Sequence, residues 1–180
     1  MNFVRPTRDP EQIQQLKEYF KEKGLRNYIL FIMSINTGLR ISDILKLKVG
    51  DVRGSHISMR EKKTGKQKRI QITAALKREL KWFIEEREDN EYLLQSRQRR
   101  CHPICRSMAY KILSRAAAEF GLDEIGTHTL RKTYGYHMYM QTKNIALPME
   151  IFNHSSERIA LRYIGVNRDA MDKAMSRFKI

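Results

Sequence analysis

The apolar residues of this chain recur at helical spacing in one short segment after another, and this repeated pattern constrains the fold more than any other feature. The segment from Tyr28 to Ile35 is apolar on most sides, which predicts a buried helix that Gly38 interrupts. Capping residues and apolar spacing predict further helices over residues 9–24, 41–47, 73–84, 107–120, 128–141, 148–153, 157–163 and 168–178.

A single pair of segments shows the alternation that is typical of strands. Residues 56–59 and 69–72 alternate apolar and polar side chains on either side of Thr64 and Gly65, which predicts a β-hairpin with a basic tip. A chain of 180 residues supports one hydrophobic core. The sequence therefore predicts a mainly α domain with a small antiparallel β-sheet, an α+β class, over residues 1–180.

The charge of the chain points to a polyanionic partner. Thirty-five Lys and Arg residues stand against 20 Asp and Glu, a formal net charge of +15, and the cations cluster in residues 60–69 and 97–106. Nucleic acid is the partner that such clusters favour. No apolar run approaches the ~18 residues of a membrane span and the first residues lack a signal-peptide core, so we predict a cytoplasmic protein without a membrane partner.

Two cysteines bear on metal binding. Cys101 and Cys105, with His102, resemble half of a zinc site, but no second ligand pair follows at a finger-like spacing. Reduced thiols are therefore predicted, with no metal.

Five blocks along the chain carry residue types suited to phosphate chemistry, and their order resembles the catalytic set of tyrosine recombinases and phage integrases. Tyr163 follows His154 by nine residues, a step typical of the family. The blocks are Thr37-Gly38-Leu39-Arg40 with Asp43, Lys63, His128-Thr129-Leu130-Arg131, His154-Ser155-Ser156 and Tyr163. The resemblance spans residues 36–163 and implies the catalytic-domain fold of tyrosine recombinases.

The resemblance implies a role for each residue. Tyr163 would attack a DNA phosphate and form a 3′-phosphotyrosyl bond, which conserves the phosphodiester energy so that rejoining needs no cofactor. Arg40 and Arg131 would bind the non-bridging oxygens, because guanidinium is permanently charged and its fork matches phosphate. His128 would donate to the phosphate or accept a proton, and His154 would donate to the phosphate.

Further predictions concern the residues that support these groups. Lys63 matches the position of the family's general acid, with Lys62 and Lys66 as rivals. Asp43 lies one helical turn from Arg40 and is expected to orient it. Lys66 and Lys132 are predicted to bind DNA.

The chain departs from the family pattern in several ways. Asn153 stands where the family usually has Gly, and Lys132 stands where His is frequent. The chain begins almost directly at the catalytic domain, so no separate N-terminal core-binding domain is expected.

The partners that the resemblance implies are double-stranded DNA, further copies of the chain in a dimer or tetramer, and DNA-bending accessory proteins. Residues 168–178 are predicted to form either an arm that docks on a neighbouring copy or an intramolecular core helix. Their apolar residues at helical spacing are Ala170, Met171, Ala174, Met175 and Phe178.

The function that these features favour is site-specific DNA recombination or integration. Rejoining to the same end would instead give topoisomerase-like relaxation, and the chemistry does not separate the two. A non-catalytic DNA-binding regulator with the same fold, and a basic RNA-binding protein, are the alternatives.

Overall fold

The computed structural model describes residues 5–98, 101–122 and 125–178, and these residues form the mainly helical fold with one small sheet that the sequence predicts. In chain order the elements are α1 Pro10–Lys23, α2 Leu25–Thr37, α3 Ile41–Ile44, a 3-10 turn Gly50–Val52, β1 His56–Arg60, β2 Gln67–Gln71, α4 Ala74–Ile84, α5 Arg106–Glu119, α6 Thr127–Thr142, α7 Ala146–Phe152, α8 Glu157–Ile164 and α9 Val166–Arg177.

Local capping explains where several helices begin. The side chain of Asp9 accepts a hydrogen bond from the backbone N–H of Glu11, and Thr73 accepts one from Leu76, which starts α1 and α4. Ser156 caps α8 in the same way by accepting from Ile159. These hydroxyl and carboxylate oxygens satisfy N–H groups that have no partner within the helix.

Helix α2 lies at the centre of the molecule. It packs against α1, α4 and α6, and its residues from Tyr28 to Met33 are all buried. This burial on every side explains why its sequence is apolar almost all round rather than on one stripe. Residues from α1, α4 and α5 complete the core around it.

The hairpin pairs its two strands antiparallel, with Ile57 opposite Ile70 and Arg60 opposite Gln67. Ile57 is fully buried against the core, while the alternate positions of both strands are more exposed. The turn from Glu61 to Lys66 thus projects from one buried strand, and its basic side chains point to solvent.

The two ends of the described chain lie close together. The backbone N–H of Thr7 donates to the Thr133 hydroxyl on α6, and Arg8 forms an ion pair with Asp169 on α9. The side chains of Met171 and Met175 on α9, and of Phe178 directly after it, are 63%, 71% and 75% exposed, so they do not belong to the core. The Ala170 and Ala174 side chains lie outside the described part of the structure. None of the helices in residues 5–98, 101–122 and 125–178 has the length and apolar character needed to cross a bilayer.

Candidate active site

The loop between α2 and α3 carries Arg40 and is shaped by Gly38. Gly38 has φ +59°, and a Cβ there would lie 2.7 Å from Cε1 of Tyr134 on α6, so both the backbone and the packing require glycine. The carbonyl of Gly38 accepts a hydrogen bond from the Arg131 guanidinium. The loop that presents Arg40 is therefore fixed directly onto the side chain of Arg131.

Helix α6 presents the His128 and Arg131 block. Thr129 in its first turn accepts a hydrogen bond from the Gly126 backbone N–H, which fixes the helix start. Arg131 is only 3% exposed, whereas His128 lies one turn earlier on the surface. Burial of a permanently charged side chain lowers the stability of the fold unless the charge is paired within the protein or binds an anion.

Helices α7 and α8 bring His154 and Tyr163 to the same place. The ring centroids of His154 and Tyr163 are 4.9 Å apart with an edge-to-face orientation, and Phe152 lies 5.1 Å from Tyr163. The guanidinium carbon of Arg131 lies 4.6 Å from the centroid of Phe152. The Phe152 ring thus packs against all three side chains, Arg131, His154 and Tyr163.

The packing around Phe152 requires a close approach of α7 and α8 to α6. A Cβ at Gly135 of α6 would lie 2.6 Å from Cζ of Phe152 and 2.9 Å from Cγ2 of Ile164. Glycine at this position lets α7 and α8 pack directly on the α6 backbone. The distance from Tyr163 to Arg131 depends on this contact.

The hydroxyl of Tyr163 is a protonated phenol at rest. Burial raises the pKa of Tyr163, although a hydrogen bond with Arg131 and the charges of Arg131 and Arg40 oppose that rise. Lys132, the residue found in place of the family's frequent histidine, places its Nζ 5.4 Å from the centre of the Tyr163 ring. The Tyr163 side chain therefore lies near three cations, and it would need a proton acceptor in order to act as a nucleophile.

Both histidines of the set are suited to accept a proton. Partial desolvation lowers the pKa of His128, and the charges of Arg131 and Lys132 lower it further. Burial and the charges of Arg131 and Arg40 lower the pKa of His154 in the same way. Each imidazole is neutral at pH 7, and Nδ1 of His154 is buried without a hydrogen-bond partner among the described residues.

The hairpin turn brings a further group of cations to the edge of the site. Lys63 and Lys66 are exposed, and Lys66 borders an open cleft of about 440 Å³ whose other wall contains His154. The contacts that join Arg40, Arg131, His154 and Tyr163 do not include Lys63. Lys63 is exposed on this turn, and its role as the general acid stays a prediction.

Asp43 does not make the contact that the sequence predicted for it. Its fully buried Oδ1 accepts a hydrogen bond from the Lys62 backbone N–H, which ties α3 to the hairpin. The carboxylate that pairs with Arg40 is instead Glu61, whose Oε2 lies 2.8 Å from Arg40 Nη1. Hairpin pairing brings this residue to Arg40, and helical spacing alone could not reveal it.

Sequence reasoning missed Glu61 and Lys68. Lys68 is largely buried, lies 3.2 Å from Glu61 and donates to the carbonyl of Ile151 on α7. One signal was present in the sequence, since Glu61 is the only acidic residue between Arg60 and Arg69. A lone carboxylate in a run of cations is a candidate for an internal ion pair.

Asn153 stands at a position where the family usually has glycine, and it adopts a backbone conformation that glycine favours. It ends α7 with φ 56° and ψ 47°, a left-handed conformation that asparagine adopts more readily than most residues. Its side-chain amide also donates to Glu61 at 2.9 Å. The substitution therefore keeps the turn before His154 and adds a contact to the hairpin.

Cys101 and Cys105 are free and exposed. Within residues 5–98, 101–122 and 125–178, no three His, Cys, Asp or Glu side chains are grouped so that they could hold a metal ion.

Together these side chains form a surface that suits an anion. Arg131, His154 and Tyr163 meet around Phe152, and the charges of Arg40 and Arg131 act on both His128 and His154. Such a set can bind a phosphate, stabilise added negative charge on it and direct an oxygen nucleophile at its phosphorus.

Comparison with known proteins gives a family match over most of the chain. The sequence profile of the phage integrase family matches residues 7–169. A protein named as a probable integrase/recombinase, YoeC of Bacillus subtilis (strain 168), is 49% identical over 179 residues, which cover 99% of this chain and 98% of that protein.

Solved structures share the fold. The crystal structure of XerA recombinase superimposes with a TM-score of 0.76 at 20% identity, over 98% of this chain and 67% of that one. XerH site-specific recombinase, in a post-cleavage complex with a palindromic difH substrate, gives 0.74 at 21% identity, over 98% of this chain and 54% of that one. This chain spans between 45% and 61% of the length of several other curated relatives, which are named tyrosine recombinases.

Proposed function

The chain belongs to the phage integrase family, and from this membership we propose that it is a tyrosine-type site-specific DNA recombinase. It cleaves and rejoins DNA strands through a covalent 3′-phosphotyrosyl intermediate. The observation that supports the proposal is the convergence of Arg131, His154 and Tyr163 on the Phe152 ring, because the proposed attack needs a tyrosine hydroxyl beside a buried guanidinium.

The reaction is a transesterification at phosphorus. The Tyr163 oxygen forms a bond to the scissile phosphate while the bond from phosphorus to the 5′ oxygen breaks. The phenol proton passes to a neutral imidazole, His128 or His154, and Lys63 supplies a proton to the departing 5′ oxygen. Rejoining reverses these steps with a 5′ hydroxyl as the attacking group.

The arginines stabilise the charge that builds up during this step. Arg131 and Arg40 each present guanidinium donors, and binding of the non-bridging oxygens offsets the cost of burying Arg131. Glu61 and Asp43 support the site from the hairpin and α3, and Lys66 and Lys132 contact the DNA beside it.

The partner in this proposal is double-stranded DNA, which the net charge of +15 favours. Residues 1–180 act as a single catalytic domain. The chain works in the cytoplasm, where it assembles on DNA as a dimer or tetramer, with accessory proteins that bend the DNA. The exposed Met171 and Met175 on α9, with Phe178 directly after it, support assembly through this end of the chain, because exposed apolar side chains mark contact surfaces.

The first test is a search for the covalent adduct. Purified protein is incubated with fragmented DNA from its own host, the reaction is stopped in detergent, and the DNA attached to protein is sequenced. We expect adducts that share one sequence, at least 100-fold above those formed by Tyr163→Phe, because that variant lacks the attacking oxygen.

Tyr110→Phe is the matched control. Tyr110 lies on α5 and is 53% exposed. The variant loses the same hydroxyl group as Tyr163→Phe but outside the site, so it should form adducts at the normal level. Tight DNA binding without adducts in the unaltered protein would contradict recombination and support the alternative, a non-catalytic DNA-binding regulator.

A further inference from the structure

The side chain of Glu61 is fully buried and contacts four polar groups among the described residues. Its carboxylate lies 2.8 Å from Arg40 Nη1 and 3.2 Å from Lys68 Nζ. It also accepts hydrogen bonds from the Thr64 hydroxyl at 2.6 Å and from the Asn153 amide at 2.9 Å. One carboxylate therefore joins the hairpin, the loop before α3 and the end of α7.

Three of these contacts reach a residue of the proposed reaction or its immediate neighbour. Arg40 is contacted directly, Thr64 follows Lys63 in the turn, and Asn153 precedes His154. Glu61 also closes the turn through its backbone, since its N–H donates to the Lys66 carbonyl and its carbonyl accepts from Gly65. Movement of this one side chain would disturb three groups at once.

The charge of Glu61 is retained despite its burial. Burial alone would raise the pKa of Glu61, but the hydrogen bond from Thr64 and the charges of Lys68 and Arg40 outweigh it and lower the pKa to about 2. An ionised carboxylate beside the binding site of an anion opposes binding of that anion. We therefore expect the Glu61 carboxylate to contribute to the cleavage step that follows phosphate binding.

We propose that Glu61 is a positioning residue for strand cleavage, which holds the guanidinium of Arg40 in the orientation that binds the scissile phosphate and sets the hairpin turn that carries Lys63. This inference rests on the proposed recombinase function. Glu61 acts through Arg40 and the turn, so it affects the rate of cleavage of bound DNA more than it affects DNA affinity.

A second carboxylate provides a matched control. Glu79 on α4 accepts a hydrogen bond from Tyr28 at 2.6 Å and pairs with Lys17 at 2.6 Å, and these partners lie in α1 and α2 rather than in the site. Glu79→Gln and Glu61→Gln each remove one charge from an ion pair, although the Glu79 side chain is 27% exposed and that of Glu61 is fully buried. A slower cleavage in Glu61→Gln than in Glu79→Gln, at an equal folded fraction, therefore exceeds what loss of an ion pair alone would cause.

The experiment measures single-turnover cleavage on a nicked duplex that contains the site mapped by adduct sequencing. The cleavage rate at saturating DNA and the Kd are measured separately, with the folded fraction of each variant checked by thermal melting. We expect Glu61→Gln to slow cleavage at least tenfold while the Kd stays within threefold or tightens. Glu79→Gln should cleave within twofold of the unaltered protein.

A double-mutant cycle tests whether Glu61 acts through Arg40. In an Arg40→Lys background the planar fork is already absent, so adding Glu61→Gln should slow cleavage by no more than about twofold. A full tenfold loss in that background would overturn the proposed route through Arg40. Glu61→Asp keeps the charge with a shorter reach, should be intermediate in rate, and serves as the test variant if Glu61→Gln does not fold.

The possible failures are distinguishable. Cleavage by Glu61→Gln or Glu61→Asp at the normal rate, with adducts formed by the unaltered protein, would overturn this inference alone. Absence of adducts from the unaltered protein would overturn the proposed function and this inference with it.

Discussion

The protonation states of Tyr163, His128 and His154 determine whether a proton can leave the tyrosine hydroxyl. Tyr163 keeps its proton because burial raises its pKa, and the nearby cations do not fully compensate. The same cations, together with desolvation, lower the pKa of His128 and His154. A protonated tyrosine and two neutral imidazoles therefore coexist at pH 7, which is the state that general-base catalysis with Tyr163 as the nucleophile would need.

The pH dependence of cleavage follows from these directions. In the free enzyme, protonation of the accepting histidine stops the reaction, so kcat/KM should fall as the pH is lowered. The acidic limb of the profile should lie below pH 6.5, the ordinary pKa of histidine, because both pKa values are lowered. The measurement is initial cleavage rate at subsaturating DNA between pH 5 and 9.

Variants identify which histidine acts. Replacement of the accepting residue, by His128→Gln or His154→Gln, should remove the acidic limb and lower the rate by roughly 10²-fold or more. An unchanged limb in both variants, or a limb above pH 6.5, would show that neither imidazole accepts the proton.

Packing between elements sets the distance from the nucleophile to the arginine. Arg131 lies on α6, Tyr163 lies on α8 and Phe152 at the end of α7 fills the space between them. Gly135, one turn after Arg131, lets both neighbouring helices approach the α6 backbone. The precision of the site thus depends on a residue that has no side chain.

Gly135→Ala tests this contact. The added methyl group overlaps Phe152 and Ile164, so the variant should lose about 1–3 kcal/mol of unfolding free energy and cleave bound DNA more slowly. Urea unfolding and the single-turnover rate measure the two effects.

Gly54→Ala is the corresponding control. A Cβ at Gly54 would meet the His56 backbone at an ordinary 3.9 Å and the residue has no positive φ, so little change is expected. A Gly135→Ala protein as stable and as active as the unaltered one would mean that the α6 contact does not control the site.

At the scale of the whole molecule, the net charge of +15 governs how the chain meets DNA. Phosphate contacts dominate the affinity of such proteins, because bound cations release the counterions that surround the duplex. Glu61 holds part of the positive charge of the site in internal pairs, whereas Lys63 and Lys66 remain exposed.

The affinity for duplex DNA should therefore fall steeply with salt. If roughly six to ten phosphates are neutralised, the Kd should weaken about 10³-fold to 10⁵-fold between 50 and 200 mM salt. Fluorescence anisotropy with a labelled duplex measures this, with thermal melting in each buffer as the control for folding. A Kd that is independent of salt would contradict a phosphate-dominated interface.

The sequence by itself determined the kind and order of the elements. The α+β class is confirmed, and each predicted helix and the hairpin appear within a few residues of their expected bounds. Local signals are sufficient for this, since caps such as Asp9 and Thr73 act on N–H groups two or three residues away. The roles of Arg40, Lys63, His128, Arg131, His154 and Tyr163 remain predictions that the experiments above address.

Only the tertiary structure decided which carboxylate pairs with Arg40. Helical spacing favoured Asp43, three residues away, but the hairpin fold brings Glu61 to Arg40 and turns Asp43 toward the Lys62 backbone. The same packing joins Asn153 to Glu61 across 92 residues of sequence. The periodicity of the sequence predicts which residues are neighbours within one helix or strand. Contacts between elements depend on how these elements pack around the core, and no local sequence pattern encodes that packing.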